Sequence, residues 1–99
     1  MAKFQLTNKA VEDLADIWEY TYDTWSERQA NKYYTLLLQA CQEISNDPNK
    51  GKAYDEVAQG MMGYLAYRHF VMYRKISSNE ILIIRILHSQ MDLKSKNTE

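Results

Sequence analysis

The chain has 99 residues, of which 45% are hydrophobic and 25% are charged, and it contains one proline. This composition is typical of one small globular domain with a single hydrophobic core, and it excludes an intrinsically disordered chain. Its apolar runs are far shorter than the roughly 18 residues of a membrane span, and residues 1–5 lack the apolar stretch of a secretory leader. The single cysteine, Cys41, cannot form an internal disulfide and fits a reducing compartment, so we expect a cytoplasmic protein without a membrane partner.

Charge is distributed unevenly along the chain. Residues 1–47 carry four basic and eight acidic side chains, whereas residues 48–99 carry eight basic and five acidic ones. The basic C-terminal half therefore favours an anionic partner, although an ordinary solvated surface would give the same pattern. The isoelectric point near 6.1 argues against a protein that coats nucleic acid in general.

The first predicted elements are a short strand over residues 3–7 and a helix over residues 8–25. The strand alternates apolar and polar residues, and Thr7 and Asn8 can cap the helix that follows. Residues at helical spacing predict two faces for this helix. The apolar face consists of Val11, Leu14, Ile17, Trp18, Tyr22 and Trp25, and the polar face of Glu12, Asp13, Asp16 and Glu19.

A second helix is predicted over residues 26–47, directly after the first. Ser26 and Gln29 form a capping-box pattern at its start, and Asp47-Pro48 ends it because proline cannot continue a helix. Two amphipathic helices with almost no connecting loop form a helical hairpin. The apolar stripe of the second helix consists of Ala30, Tyr33, Tyr34, Leu37, Cys41 and Ile44.

Residues 49–60 read as a loop, after which the hydrophobic period changes from helical to strand-like. Strands are predicted over residues 61–67, 69–76 and 80–87, followed by a short tail, and an antiparallel meander is the simplest way to connect them. The resulting order, β-α-α-β-β-β, predicts a single α+β domain over residues 1–99. In it the helical hairpin covers one face of a four-stranded sheet, and the apolar second face needs another cover.

The last strand contains an arginine among apolar residues. Regular alternation would place Ile81, Ile83, Arg85 and Leu87 on one face and Leu82, Ile84 and Ile86 on the other. A guanidinium on an apolar face is costly unless it reaches an anion or water. Arg85 is therefore either a contact to a partner or one half of an ion pair with an acid at the strand edge.

The C-terminal blocks resemble the last two strands of ParE toxins, which belong to the RelE/ParE superfamily. Residues 68–75, Arg-His-Phe-Val-Met-Tyr-Arg-Lys, are similar to the family's third strand, and residues 84–93 carry its "R-I-L-H-x-x-M-D" ending. Residues 46–52 are similar to its "N-P-x-x-G" loop. The resemblance continues upstream through Leu6-Thr7, Ala10, Asp13-Leu14 and Ile17, so that it covers almost the whole chain and the same order of elements.

This resemblance implies the toxin of a type II toxin–antitoxin system, one that poisons DNA gyrase by binding and is not an enzyme. It also implies a ParD-like antitoxin with a ribbon-helix-helix domain, through which alone the complex contacts operator DNA. No cofactor is implied, and His69 and His88 without clustered cysteines make a metal site improbable. Topoisomerase IV is an alternative target, and a non-toxic regulatory binding module is an alternative function.

Two sets of residues are candidate contacts. The ending motif and the basic C-terminal half suggest contacts with the target at Arg68, Arg74, Arg85, His88 and Asp92, and in the tail at residues 94–99. The hairpin carries more large rings than so short a chain can bury, so some of them should lie in an interface. The candidates for antitoxin binding are Trp18, Tyr22, Trp25, Tyr33 and Tyr34.

The rival reading is a RelE-like toxin that cuts messenger RNA on the ribosome. Basic side chains could hold a phosphate, and a histidine could transfer protons near neutral pH. The residues for that chemistry are Lys50, Lys52, Arg68, Arg85 and His88. Against this reading, the last tyrosine is Tyr73, so the C-terminal element lacks the phenol of many RelE proteins, and lysines in a glycine-containing loop are more often solvated.

Overall fold

The computed structural model describes residues 2–88. They form an α+β fold in which a hairpin of two helices packs on one face of a single five-stranded sheet. The elements in chain order are β1 (Lys3–Leu6), α1 (Asn8–Thr24), α2 (Glu27–Asn46), a 3₁₀ turn (Pro48–Lys50), β2 (Lys52–Ala53), β3 (Met62–Ala66), β4 (His69–Ser77) and β5 (Glu80–His88). None of the helices within this part of the chain is long and apolar enough to cross a membrane.

The sheet has the strand order β1-β5-β4-β3-β2. β3, β4 and β5 form the predicted antiparallel meander, and β1 pairs in parallel with β5, so the two ends of the fold meet at one edge of the sheet. The predicted order of elements is confirmed. The predicted four strands are one too few, because β2 is a two-residue strand within the predicted loop and is too short to show an alternating pattern.

Both helices begin at the predicted capping residues. The Thr7 hydroxyl accepts a hydrogen bond of 3.0 Å from the Ala10 amide, and the Ser26 hydroxyl accepts one of 3.1 Å from the Gln29 amide. Each bond satisfies an amide that has no partner inside its helix. Capping side chains at 7 and 26 also explain why so little chain separates β1, α1 and α2.

The predicted stripe of α2 is largely confirmed, whereas that of α1 is confirmed only for Leu14 and Ile17 and is wrong for Val11, Tyr22 and Trp25. On α2, Ala30, Leu37, Cys41 and Ile44 are buried, although Tyr34 is exposed. On α1, the buried residues are Ala10, Leu14 and Thr21, with Ile17 packed beside them, whereas Val11, Tyr22 and Trp25 are exposed. Two stripes at helical spacing overlap on α1, and the more hydrophobic of them is not the one that packs on the sheet. Because small residues let a helix approach a sheet closely, the stripe that contains them packs on the sheet, and the large rings of the other stripe face away from it.

A β-bulge in β5 changes which of its side chains face the helices. Met72 pairs with Arg85, but the next residue of β4, Tyr73, pairs with Ile83, so Ile84 has no residue directly opposite. The extra residue shifts the alternation beyond it by one position. Ile86 therefore joins Ile81 and Ile83 on the helix side. The predicted grouping of Leu87 with Ile81 and Ile83 is wrong, because Leu87 lies in the cluster on the opposite face.

That opposite face is partly covered by the chain itself. Met61, Met72 and Leu87 are buried there, and Tyr54 and Phe70 pack against them. The cover comes from the turn between β2 and β3, which sequence analysis treated as an open loop. The expectation that the chain itself leaves this face of the sheet uncovered is therefore wrong. At the rim of the face, Leu65 remains 58% exposed.

A matched pair of leucines tests this assignment of interior and surface. Leu37 is fully buried between the hairpin and the sheet, whereas Leu65 is largely exposed. Leu37→Ala should lower the free energy of unfolding by about 2 to 5 kcal/mol, because it removes buried methyl groups and leaves a cavity. Leu65→Ala should lower it by less than about 1 kcal/mol. Urea unfolding of both variants measures this, and equal losses would contradict the assignment of Leu37 to the interior and Leu65 to the surface.

Candidate functional site

Arg85 is held by an ion pair with α1. Its Nε donates to Asp13 Oδ2 over 2.8 Å, and its Nη2 donates to Asp13 Oδ1 over 3.0 Å, which is a bidentate arrangement. The hydrogen bond to Asp13 raises the pKa of the guanidinium, so Arg85 stays charged. The side chains of Asp13 and Arg85 are 12% and 33% exposed. Of the two predicted roles for Arg85, the structure gives it an acid partner at the strand edge.

Asp13 also completes the edge of β5. β1 ends at Leu6, which pairs with Ile83, so beyond that point the edge of β5 has no neighbouring strand. The Ile86 amide donates instead to Asp13 Oδ2 over 3.0 Å. The predicted place of Asp13 on the polar face of α1 is wrong, because the carboxylate points to the sheet. Its orientation could have been inferred from its position at helical spacing beside Ala10, Leu14 and Ile17, which form the stripe that packs on the sheet.

A second polar cluster lies at the end of the sheet where β3 turns into β4. The Tyr33 hydroxyl and His69 Nδ1 are 2.6 Å apart, and the Arg68 amide donates to the same hydroxyl over 3.0 Å. Burial, and then the charge of His88, lower the pKa of His69 to about 4. His69 is therefore neutral at pH 7, and its Nδ1 and the Tyr33 hydroxyl share one hydrogen bond. Burial in turn raises the pKa of Tyr33, so this phenol stays protonated.

The strand register adds His88 to this cluster. His69 at the start of β4 pairs with His88 at the end of β5, and their rings meet edge to face with centroids 5.0 Å apart. His69 is not among the residues predicted for a site, although it contacts both Tyr33 and His88. Along β4 it alternates with Val71 and Tyr73, which are buried on the helix side, and this pattern could have indicated its orientation.

The turn that carries Arg68 is strained. Tyr67 has a φ of +58°, in the left-handed region that bulky side chains rarely adopt. Its ring packs edge to face on Tyr33 at a centroid distance of 6.2 Å. The Tyr33 hydroxyl therefore holds the turn from inside, and the turn fixes the position of the Arg68 backbone.

Two depressions flank the helical hairpin, and the predicted antitoxin contacts divide between them. A cleft of about 340 Å³ lies next to the polar cluster, with Tyr20, Trp25, Gln29, Tyr33, Arg68 and His88 among its lining residues. A groove of about 420 Å³ lies on the hairpin itself and is lined by Val11, Ala15, Trp18, Glu19 and Tyr34. Tyr22 stacks on Trp18 at 5.2 Å, and the Trp18 indole donates to Asn31 Oδ1 over 2.9 Å. We call these two depressions the cleft and the hairpin groove.

Of the five residues of the RelE-like alternative, the structure brings Arg68 and His88 together in the cleft, whereas Lys50, Lys52 and Arg85 lie elsewhere. Lys50 lies 3.7 Å from Glu43, and Lys52 lies over the ring of Tyr54. Lys52 pairs with Gly63 on β3, three residues before Ala66, which pairs with His69. Three residues of strand span about 10 Å. The lysines therefore lie away from the cleft, and Arg85 is bound to Asp13.

The remaining predicted target contacts have different surroundings. Arg74 is exposed on β4, and its neighbour Lys75 bonds to Asn49. Asp92 and residues 94–99 lie outside the described residues. Within residues 2–88, no three histidine, cysteine, aspartate or glutamate side chains are grouped so as to hold a metal ion.

Comparison with known proteins identifies the family. The family described as "ParE toxin of type II toxin-antitoxin system, parDE" matches residues 4–93, which is most of the chain. The chain belongs to the ParE toxin family. It is therefore a toxin of a type II toxin–antitoxin system, and the resemblance seen in its C-terminal strands is confirmed.

Named relatives agree with this assignment. "Toxin ParE1" of Mycobacterium tuberculosis (strain ATCC 25618 / H37Rv) is 33% identical over 92 residues, 93% of this chain and 94% of the relative. "Toxin ParE1" of Caulobacter vibrioides is 30% identical over 95 residues, 96% of this chain and 97% of the relative. This ParE-family toxin therefore spans nearly the full length of both relatives.

Solved structures share the fold. A chain of the "Chromosomal ParDE TA system from P. aeruginosa" superposes with a TM-score of 0.74 at 20% identity, covering 89% of this chain and 96% of that one. A chain of the toxin–antitoxin complex RelBE2 from Mycobacterium tuberculosis gives a TM-score of 0.67 at 16% identity, covering 88% and 96%. At these identities the likeness concerns the fold, which the ParE and RelE branches have in common.

The buried His69 makes the stability of the toxin depend on pH. Its pKa is about 4 in the folded protein, against an ordinary value of 6.5. Between these values the unfolded chain binds more protons, so the free energy of unfolding should fall as pH drops from 6.5 towards 4, by up to about 3 kcal/mol. Above pH 6.5 this contribution should be constant.

The measurement is urea unfolding at pH 7, 6, 5 and 4.5 for the wild type and for His69→Gln. Glutamine can still accept a hydrogen bond from Tyr33 but does not titrate. The variant should therefore lose less stability over this range, whatever its stability at pH 7. Parallel pH profiles for the two proteins would contradict the assignment of a neutral, buried His69.

Proposed function

We propose that this ParE-family toxin inhibits DNA gyrase by binding to it, without catalysing a reaction, and that a ParD-like antitoxin neutralises it. The observation that carries the proposal is the dispersal of the cationic side chains. Lys50 and Lys52 lie at the β2 end of the sheet, Arg85 is bound to Asp13, and Arg68 lies at the cleft. Phosphate cleavage requires several such groups around one reacting phosphate, so this arrangement favours binding over chemistry.

The basic strand β4 is the proposed contact with the target. Arg68 lies in the turn before this strand and Arg74 lies near its other end, and both are exposed. Exposed arginines can form bidentate bonds with carboxylates or phosphates of a partner. Arg85 contributes less directly, because Asp13 already occupies its guanidinium. His88 and Asp92 complete the proposed contact set.

The hairpin groove is the proposed seat of the antitoxin. Two structural neighbours come from a ParDE system and a RelBE2 toxin–antitoxin complex, which supports an antitoxin partner for this toxin. Val11, Trp18 and Tyr34 line the groove, and Tyr22 stacks beside it, so it offers apolar and aromatic area to an amphipathic helix. Operator DNA would then be contacted by the antitoxin alone.

Supercoiling by purified gyrase tests the proposed target. Added toxin should reduce supercoiling and trap the cleaved DNA complex, and the same titration with topoisomerase IV in a decatenation assay separates the two enzymes. Arg74→Gln should raise the inhibitory concentration about tenfold, which corresponds to the loss of one charge-assisted hydrogen bond. Arg28→Gln is the matched control, because this exposed arginine lies in the first turn of α2, outside the proposed contact set.

The RelE-like alternative predicts the opposite results. Both topoisomerase activities would be unchanged, and messenger RNA would be cut in the presence of ribosomes and toxin. That outcome would overturn the proposed target and the proposed lack of chemistry together.

A further inference from the structure

The cleft combines the three residue types that dominate binding energy at protein interfaces. These are tryptophan, tyrosine and arginine, here Trp25, Tyr20 and Arg68. Trp25 is 74% exposed and Tyr20 is 64% exposed, so two large rings stand in water around one depression. Exposed aromatic area concentrated in a concave site is typical of a binding surface, because burying it against a partner is favourable.

The charge in the cleft is positive. Among residues 2–88, its lining contains Arg68 and no aspartate or glutamate. None of the three ion pairs within the same part of the chain involves Arg68. The Arg68 guanidinium is thus available to an anion supplied by a ligand.

The Arg68 backbone is already in place before any ligand arrives. Its amide donates to the Tyr33 hydroxyl, and the strained turn at Tyr67 packs on the same tyrosine ring. Tyr33 is fixed in turn by the hydroxyl's contact with His69. A site whose backbone is held in this way loses little further conformational entropy on binding.

We propose that the cleft binds an acidic peptide segment of a partner protein. An apolar side chain of that segment packs between Tyr20 and Trp25, and an aspartate or glutamate beside it forms an ion pair with Arg68. This inference rests on the proposed function only in that the partner is a protein. It places a second contact at the cleft, separate from the hairpin groove.

The surrounding charge favours a peptide over a nucleic acid. The helix α1 forms one wall of the cleft through Tyr20, and it carries the exposed acids Asp16 and Asp23. Successive phosphates of a nucleic acid that left the cleft along this helix would be repelled by these carboxylates. A peptide whose single carboxylate binds Arg68 avoids that repulsion.

Binding of short peptides to the ¹⁵N-labelled full chain tests the proposal. The probes are acetyl-Leu-Asp-Leu-amide, its Asn analogue and the dinucleotide pTpT, each followed by the NMR shifts of the Trp25 indole N–H and the Arg68 amide. The Asp peptide should bind about tenfold more tightly than the Asn peptide, as expected for one charge-assisted hydrogen bond. The Trp18 indole signal should not move, because this ring lines the hairpin groove.

Arg68→Gln should remove the preference for the Asp peptide, whereas Arg28→Gln, at an exposed arginine outside the cleft lining and outside the proposed target contacts, should retain it. Equal binding of the two peptides, shifts confined to other residues, or tighter binding of pTpT would each overturn the proposal. Gyrase and antitoxin are absent from this experiment. A failure of the peptide-binding proposal is therefore distinguishable from a failure of the proposed function, because the supercoiling assay tests the proposed function.

Discussion

The carboxylate of Asp13 is the contact on which the arrangement of this ParE-family toxin depends. It accepts two hydrogen bonds from the Arg85 guanidinium and one from the Ile86 amide. A partly buried carboxylate and a partly buried guanidinium are costly to leave unpaired, so each requires the other. The contact joins the first helix to the last strand, which are 72 residues apart in sequence.

Thr7 positions the start of α1 against β5 and so helps to place Asp13. Its amide donates to the Ile83 carbonyl, its hydroxyl donates to the Ile84 carbonyl over 2.8 Å, and the same hydroxyl caps α1. The chain therefore stops pairing as a strand at Leu6 and starts a helix within one residue. Beyond the end of β1, the Asp13 carboxylate accepts the hydrogen bond that the edge of β5 would otherwise donate to a neighbouring strand. The same rotation of α1 that aims Asp13 at β5 turns Val11, Trp18 and Tyr22 away from the sheet, and the hairpin groove is the consequence.

Much of the fold could be predicted from the sequence, because capping residues, proline and the change of hydrophobic period are local signals. The face of α1 that packs on the sheet could not be predicted, since alanine and threonine at the packed positions give a weaker hydrophobic pattern than the aromatic residues beside them. The bulge at Ile84 was also invisible, because a run of isoleucine and leucine looks the same in either register. Of the residues that line the cleft, Trp25, Tyr33, Arg68 and His88 are separate candidates in the sequence. Their assembly around His69 depends on a pairing between β4 and β5 that no local pattern reveals.

Amide hydrogen exchange at Ile86 tests the central role of Asp13 most directly. In the wild type this amide should exchange about as slowly as its buried neighbours in β5, because the carboxylate takes the place of a neighbouring strand. In Asp13→Ala it should exchange at least about tenfold faster, while Ile83, which is still paired with Leu6 of β1 and Tyr73 of β4, keeps its protection. Unchanged protection of Ile86 in the variant would contradict the account.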